Sequence, residues 1–235
     1  MVSVDLNSDL GEGAGRDEQV MPHITSTNIA CGAHAGDADT IARTIELALR
    51  HGVAVGAHPG YPDKANFGRV AIEMAPGDLV DEIRAQLEAI HRVAEQAGAT
   101  LAHVKAHGAL YNKGERDDTV AASIVEAVRS FDEDLVLFAP PGSAMERAAK
   151  TAGISVAREG FADRAYEPDG TLRSRKLPGA VHTDPAAAAA QAVRLAPTVD
   201  TICIHGDTPG APAIARAVRR ALADAGIEVR ALSKT

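Results

Sequence analysis

A chain of 235 residues that is 46% hydrophobic but only 3% aromatic, with no tryptophan, can bury a sizeable core that Val, Ile, Leu and Ala must pack. Parallel strands covered by alanine-rich helices suit that composition, and the lack of a linker or compositional break predicts a single domain over 1–235. A formal net charge of −8 argues against nucleic-acid binding, which needs basic patches, and no run approaches the length of a membrane span.

The opening Met-Val-Ser-Val-Asp-Leu-Asn has neither the basic nor the apolar region of a signal peptide, so the expected location is cytoplasmic. Strands are predicted at 2–6 and 25–30. A helix then starts near Asp37, a candidate N-cap, repeats Ile41, Ile45, Ala48 and Leu49 on one face, and stops at Gly52. After a strand at 53–57 and a long connection over 57–77, the next helix starts near Asp78, repeats Leu79, Ile83, Leu87, Ile90 and Ala94, and ends at Gly98. Strands at 101–105, 134–139, 154–157, 200–204 and 227–231 alternate with helices at about 116–130, 142–152, 184–196 and 209–225, with a second long connection over 158–183. Seven or eight such βα units favour an irregular (β/α) TIM-like barrel over a doubly wound sheet.

At 4–13, 28–37, 54–63, 102–112 and 202–209 an apolar stretch runs straight into chemically capable residues. Parallel-sheet enzymes assemble their sites at the carboxyl ends of strands, so these blocks predict one composite site. Asp5, Asn7 and Asp9 alternate and share a strand face, with Glu12 just beyond; carboxylates so crowded need a cation, a metal or a retained proton. His34 lies at the mouth of the second unit, where Asp37 has the simpler role of capping a helix. His58 precedes Pro59 and Gly60 at a forced turn. His103, Lys105 and His107 alternate, which aims Lys105 into the barrel, where it needs Asp5 or Asp9 as a partner; a purely structural ion pair is the plainer reading. His205 and Asp207 close the last unit.

Histidines and carboxylates converging in this way suit acid/base hydrolysis, a divalent metal, or both. Asp9, His58 and His107 could supply the three protein ligands of an open metal site, although their spacing is diffuse. Nucleophilic chemistry has little support: there is no Gly-x-Ser-x-Gly, and Cys31 and Cys203 are expected to be free and buried. There is no Walker A sequence either, so any nucleotide binds by another device or on another protein.

The blocks Asp5-Leu6-Asn7-Ser8-Asp9-Leu10-Gly11-Glu12, Asn28-Ile29-Ala30-Cys31-Gly32-Ala33-His34-Ala35-Gly36-Asp37, Gly56-Ala57-His58-Pro59-Gly60-Tyr61-Pro62-Asp63 with Phe67-Gly68-Arg69, His103-Val104-Lys105-Ala106-His107-Gly108-Ala109-Leu110-Tyr111-Asn112, Glu159-Gly160-Phe161-Ala162-Asp163-Arg164 and His205-Gly206-Asp207-Thr208-Pro209 resemble the LamB/YcsF family, the A subunits of bacterial 5-oxoprolinases. Ala33 and Ala106 depart from the pattern without touching its polar positions. The resemblance implies a barrel related to metal-dependent carbohydrate deacetylases. It also implies ATP-dependent opening of 5-oxo-L-proline to L-glutamate together with separate B and C subunits, ATP being a cosubstrate bound on, or shared with, those partners. On that reading Asp9 or His58 is base or metal ligand, Lys105 stabilises developing negative charge, and His107 and His205 act as acid or orienting groups, with Glu12, His34 and Asp207 in the same catalytic set. Arg69 or Arg164 holds the substrate carboxylate, and Asn7, Tyr111, Asn112 and Asp163 complete the substrate site. Two other readings stay open: a stand-alone metal-dependent deacetylase or amidohydrolase, and a non-catalytic component that binds substrate. Formation of a homo-oligomer is also left open.

Overall fold

The computed structural model describes residues 2–232. Its strands are β1 (Ser3–Leu10), β2 (Ser26–Ala30), β3 (Ala54–His58), β4 (Leu101–Val104), β5 (Val136–Ala139), β6 (Val156–Phe161), β7 (Thr201–His205) and β8 (Glu228–Val229). The helices are α1 (Asp17–Val20), α2 (Ala38–His51), α3 (Pro76–Gln96), α4 (Gly108–Gly114), α5 (Asp118–Phe131), α6 (Ala144–Ala152), α7 (Pro185–Leu195) and α8 (Ala211–Asp224). Pairings between these strands are parallel, and β1 joins both β7 and β2, so seven strands close into a TIM-like barrel. β8 is a two-residue stub beside Ser3 and Val4. No helix among the described residues is long and apolar enough to cross a membrane.

Local signals set the helix ends. Asp37 caps α2 by accepting the Thr40 backbone N–H at 2.8 Å, which is its plain structural role, and Gly52 closes the helix in the left-handed region at φ 65°. Along α3 the repeated Leu79, Ile83, Leu87, Ile90 and Ala94 are all buried, and Pro76 sits at its first turn. The apolar core lies between strands and helices, where outward-facing Leu6, Ile29, Ala57, Ile202 and Ile204 meet Ile45, Ile83, Leu87 and Ile214.

Besides the short unexpected helix α1, four elements differ from the sequence expectation in ways that bear on the site. β1 runs to Leu10 rather than 6, because both flanking strands pair with its polar half: Asp9 lies opposite Asn28 on one side and His205 on the other. β6 reaches Phe161, which turns Glu159 inward. β4 ends at Val104, and Gly108, at φ 53°, starts the short helix α4 over a segment expected to be loop.

Candidate active site

Branched apolar side chains usually fill a barrel's interior, but here a polar stack runs up the axis. Asp5 lies deepest and accepts from Thr25 and Ser26, each at 2.7 Å, and from Thr201 at 2.6 Å. Burial raises its carboxyl pKa, and these hydroxyls oppose the shift. Asp5 therefore has its own partners and is not the counter-ion of Lys105. Asn7 Nδ2 donates to Thr201 Oγ1 at 2.7 Å and Glu159 Oε1 at 3.1 Å. Asn28 Nδ2 reaches Asn7 Oδ1 and Asp9 Oδ1, each at 2.8 Å, while Asn28 Oδ1 accepts from His103 Nε2 at 2.8 Å. Gly56 makes room for that ring: a Cβ there would lie 2.1 Å from His103 Nε2. Asn7, expected to touch substrate, is instead a fully buried member of this network.

Lys105 crosses the barrel above the stack. Its Nζ donates to Asp9 Oδ1 at 2.9 Å and Cys203 Sγ at 3.0 Å and is ion-paired with Glu159 Oε1 at 2.9 Å. Burial alone would lower the ammonium pKa, but Asp9, Cys203 and Glu159 outweigh it and hold the pKa well above the usual lysine range. Burial likewise opposes ionisation of Asp9, yet His58, Lys105 and His205 hold its carboxyl well below the ordinary value. Cys31 and Cys203 are both free and buried, and burial pushes the Cys31 thiol up to about 12.

The mouth is a cavity of about 510 Å³ whose walls include Asp9, Glu12, His58, Lys105, His107, Tyr111, Asn112, His205 and Asp207. His58 Nδ1 donates to the Lys105 carbonyl at 2.8 Å, His107 Nε2 donates to the Phe67 carbonyl at 2.9 Å, and the remaining nitrogens of the two rings lie 3.0 Å apart. Burial lowers the His58 pKa to about 4, against the opposing pull of Asp9, and burial and His58 lower that of His34 to about 3. His34 lies behind His107, their rings stacked 3.8 Å apart. Neither His34 nitrogen has a hydrogen-bond partner among the described residues. Burial, then Asp9 and Asp207, raise Glu12 well above the ordinary carboxylate range.

His205 is held differently. Asp163 Oδ1 accepts its Nδ1–H at 2.9 Å, and Asp163 Oδ2 accepts the His205 backbone N–H at 3.1 Å and the Thr208 hydroxyl at 2.6 Å. This fixes the tautomer and turns the Nε2 lone pair towards the cavity, 3.9 Å from Asp9 Oδ2. Asp163, expected to bind substrate, therefore orients a histidine. Arg164 lines the cavity but spends guanidinium donors on the carbonyls of Ala180 at 3.3 Å and Arg173 at 2.7 Å, whereas Arg69 is paired with Asp207, which also lies 3.8 Å from Arg175. Arg69, Arg173, Arg175 and Lys176 together make a cationic rim above an acidic floor.

Of the sequence-derived set, only His34, Asn7 and Asp163 stand off the cavity wall. Glu159 and Cys203, which grip Lys105, were not among the expected site residues. Strand parity would have found Glu159 had β6 been read through to Phe161, and Cys203 faces inward between Thr201 and His205 on β7.

A closed parallel barrel with acid/base groups gathered at the carboxyl ends of its strands defines a TIM-like barrel. A family 4 carbohydrate esterase from Streptomyces lividans, solved in complex with acetate, shares the fold with a TM-score of 0.55 at 14% identity, covering 99% of this chain and 94% of that one. The chain belongs to the LamB/YcsF family, whose profile matches residues 4–235. It is 46% identical to the A subunit of the 5-oxoprolinase of Methylococcus capsulatus over 98% of this chain and 96% of the relative. The crystal structure of a lactam utilization protein from Thermus thermophilus superposes with a TM-score of 0.92 at 42% identity, over 98% of this chain and 100% of that one.

Proposed function

We propose that this chain is the hydrolytic A subunit of a cytoplasmic 5-oxoprolinase, opening 5-oxo-L-proline to L-glutamate with the consumption of ATP and in company with B and C subunits. The names of its relatives support the substrate class and the subunit role. The observation that carries the chemistry is His205, whose Nε2 lone pair is aimed by Asp163 into the cavity that Lys105 and the arginine rim share.

A five-membered lactam is a stable amide. Transfer of the ATP γ-phosphoryl group to the amide oxygen makes its carbon electrophilic; the glycine-rich run Gly11-Glu12-Gly13-Ala14-Gly15 lacks the lysine of a Walker A loop, so ATP is assigned to the partners or to a site shared with them. Water then attacks C5, with His205 taking its proton, the ring C–N bond breaks as the nitrogen is protonated to leave γ-glutamyl phosphate, and a second water hydrolyses that acyl phosphate to glutamate and phosphate. Overall, 5-oxoproline, ATP and two waters give glutamate, ADP and phosphate. General-base help of this kind is worth roughly 10²–10⁴ in rate. Lys105, held by Asp9, Cys203 and Glu159, stabilises the developing negative charge through the field of its ammonium. Arg69, on the rim, takes the substrate carboxylate, a task suited to the guanidinium fork.

The test is glutamate release from 5-oxoproline and ATP, with the chain alone and then with its B and C partners. Glutamate only from the full mixture is expected. No glutamate with folded partners present, or acetate release from an N-acetylated sugar without ATP, would replace this reading with a deacetylase.

A further inference from the structure

Hydrogen-bond accounting on the inner wall of the cavity does not close with protons alone. The Lys105 carbonyl can only accept, so His58 spends its Nδ1–H there and turns Nε2 inward as a lone pair. The Phe67 carbonyl can only accept, so His107 spends its Nε2–H and turns Nδ1 inward in the same way. These two lone pairs face each other at 3.0 Å across rings inclined at 88°. Glu12 Oε1 lies 3.3 Å from His107 Nδ1 and 3.9 Å from His58 Nε2; its side chain is 3% exposed and this oxygen has no hydrogen-bond partner among the described residues.

We propose that His58 Nε2, His107 Nδ1 and Glu12 Oε1 form an open three-ligand site for one divalent transition-metal ion. The separations of 3.0, 3.3 and 3.9 Å bracket the roughly 3.4 Å between ligands of a tetrahedral ion with bonds of about 2.1 Å. Each imidazole is held in the required tautomer by a carbonyl behind it, the usual outer support of a ligating histidine. Two imidazoles and a carboxylate select a zinc-class ion over magnesium or calcium. The three residues line the cavity, and an ion held by them would supply Lewis acidity there.

A proton shared by His58 and His107 would satisfy that pair but leave Glu12 Oε1 bare. The site keeps two members of the Asp9, His58 and His107 set and exchanges Asp9 for Glu12: Asp9 Oδ2 lies 3.5 Å from His58 Nε2, but of the two carboxylates only Glu12 Oε1 comes within 4 Å of both histidines, and Lys105 and Asn28 hold Asp9 Oδ1. His34 is not a ligand: its ring is parallel to His107 within 3°, so its lone pairs cannot point to a position in the plane of that ring. With Nε2 3.5 Å from Glu12 Oε1, it is a positioning residue for the carboxylate. None of this depends on the lactam reading.

The experiment uses the full chain, stripped with a chelator and then titrated calorimetrically with Zn²⁺ and, separately, with Co²⁺ followed by visible absorption. One zinc per chain and cobalt ligand-field bands are expected. Glu12→Gln, which preserves shape, and His107→Ala should each weaken zinc binding by about tenfold or more, since loss of even an outer-shell partner costs about 10–100-fold. Asp9→Asn should retain the stoichiometry. Circular dichroism establishes that each variant is folded. No stoichiometric uptake by the folded chain overturns the proposal; so does native affinity in Glu12→Gln, or binding lost in Asp9→Asn and kept in Glu12→Gln.

Discussion

Asp163 grips His205 at two points, taking the ring Nδ1–H on one carboxylate oxygen at 2.9 Å and the backbone N–H on the other at 3.1 Å. A ring whose Nδ1 is held by the same carboxylate that holds its own backbone N–H keeps Nε2 turned to the cavity. His205→Ala is therefore expected to lower kcat by roughly 10²–10⁴ with little change in KM. Asp163→Asn should lower kcat as well, because the amide can present its NH₂ to Nδ1 and stabilise the wrong tautomer. Steady-state glutamate release by the assembled complex measures both, and an unchanged kcat in folded His205→Ala removes the base assignment.

The same carboxylate sets an acid limit on stability. Burial alone would raise the Asp163 pKa, but His205 and the Thr208 hydroxyl hold it below the ordinary value. A group whose folded pKa is depressed stabilises the fold above its unfolded pKa of about 3.9, and that contribution is lost as pH falls through the lower folded value. Denaturant midpoints followed below about pH 4 should thus fall less steeply in Asp163→Asn than in the native chain. The variant should also be the less stable of the two at neutral pH. Parallel acid limbs would show that Asp163 is not a source of the pH dependence.

Lys105 neutralises Asp9 and Glu159 from a position 2% exposed, so removing its charge leaves two buried carboxylates with no cation between them. Lys105→Met is expected to cost about 3–5 kcal/mol in urea unfolding and to abolish turnover. Adding Glu159→Gln to Lys105→Met should recover part of the stability, because one stranded charge is gone, while activity stays absent. A double variant no more stable than Lys105→Met would mean that Glu159 does not share the ammonium.

These contacts explain how far the chain could be read without coordinates. The alternation Asp5, Asn7, Asp9 and then His103, Lys105, His107 carries its own facing information, because a period of two survives whether or not the strand formally continues. All six side chains do turn inward, although β4 stops at Val104. Partner choice was less legible. Asp5 and Asp9 look equivalent in sequence, and only the Thr25, Ser26 and Thr201 hydroxyls reserve Asp5 for itself. Arg164 has the right chemistry for a substrate carboxylate, yet the fold of its loop draws its donors onto the Ala180 and Arg173 carbonyls. Such assignments depend on segments far apart in the chain, which periodicity does not encode.

Arg69 and Arg175 come from different long connections and meet at one carboxylate, that of Asp207, on the cationic rim. Asp207 therefore competes with an incoming anion for the same two guanidinium groups. Arg69→Gln should raise the KM for 5-oxoproline about tenfold, the scale of one charge-assisted hydrogen bond, while leaving kcat largely intact. Asp207→Asn should do the opposite and lower KM, since it frees both arginines without removing a donor. The sequence alone placed Asp207 among the catalytic residues, and the two roles separate cleanly: a competitor for the arginines changes KM, whereas a participant in proton transfer changes kcat. Initial-rate kinetics of the two variants in the assembled complex decide between them, and a fall in kcat with unchanged KM in Asp207→Asn would return that residue to the chemistry.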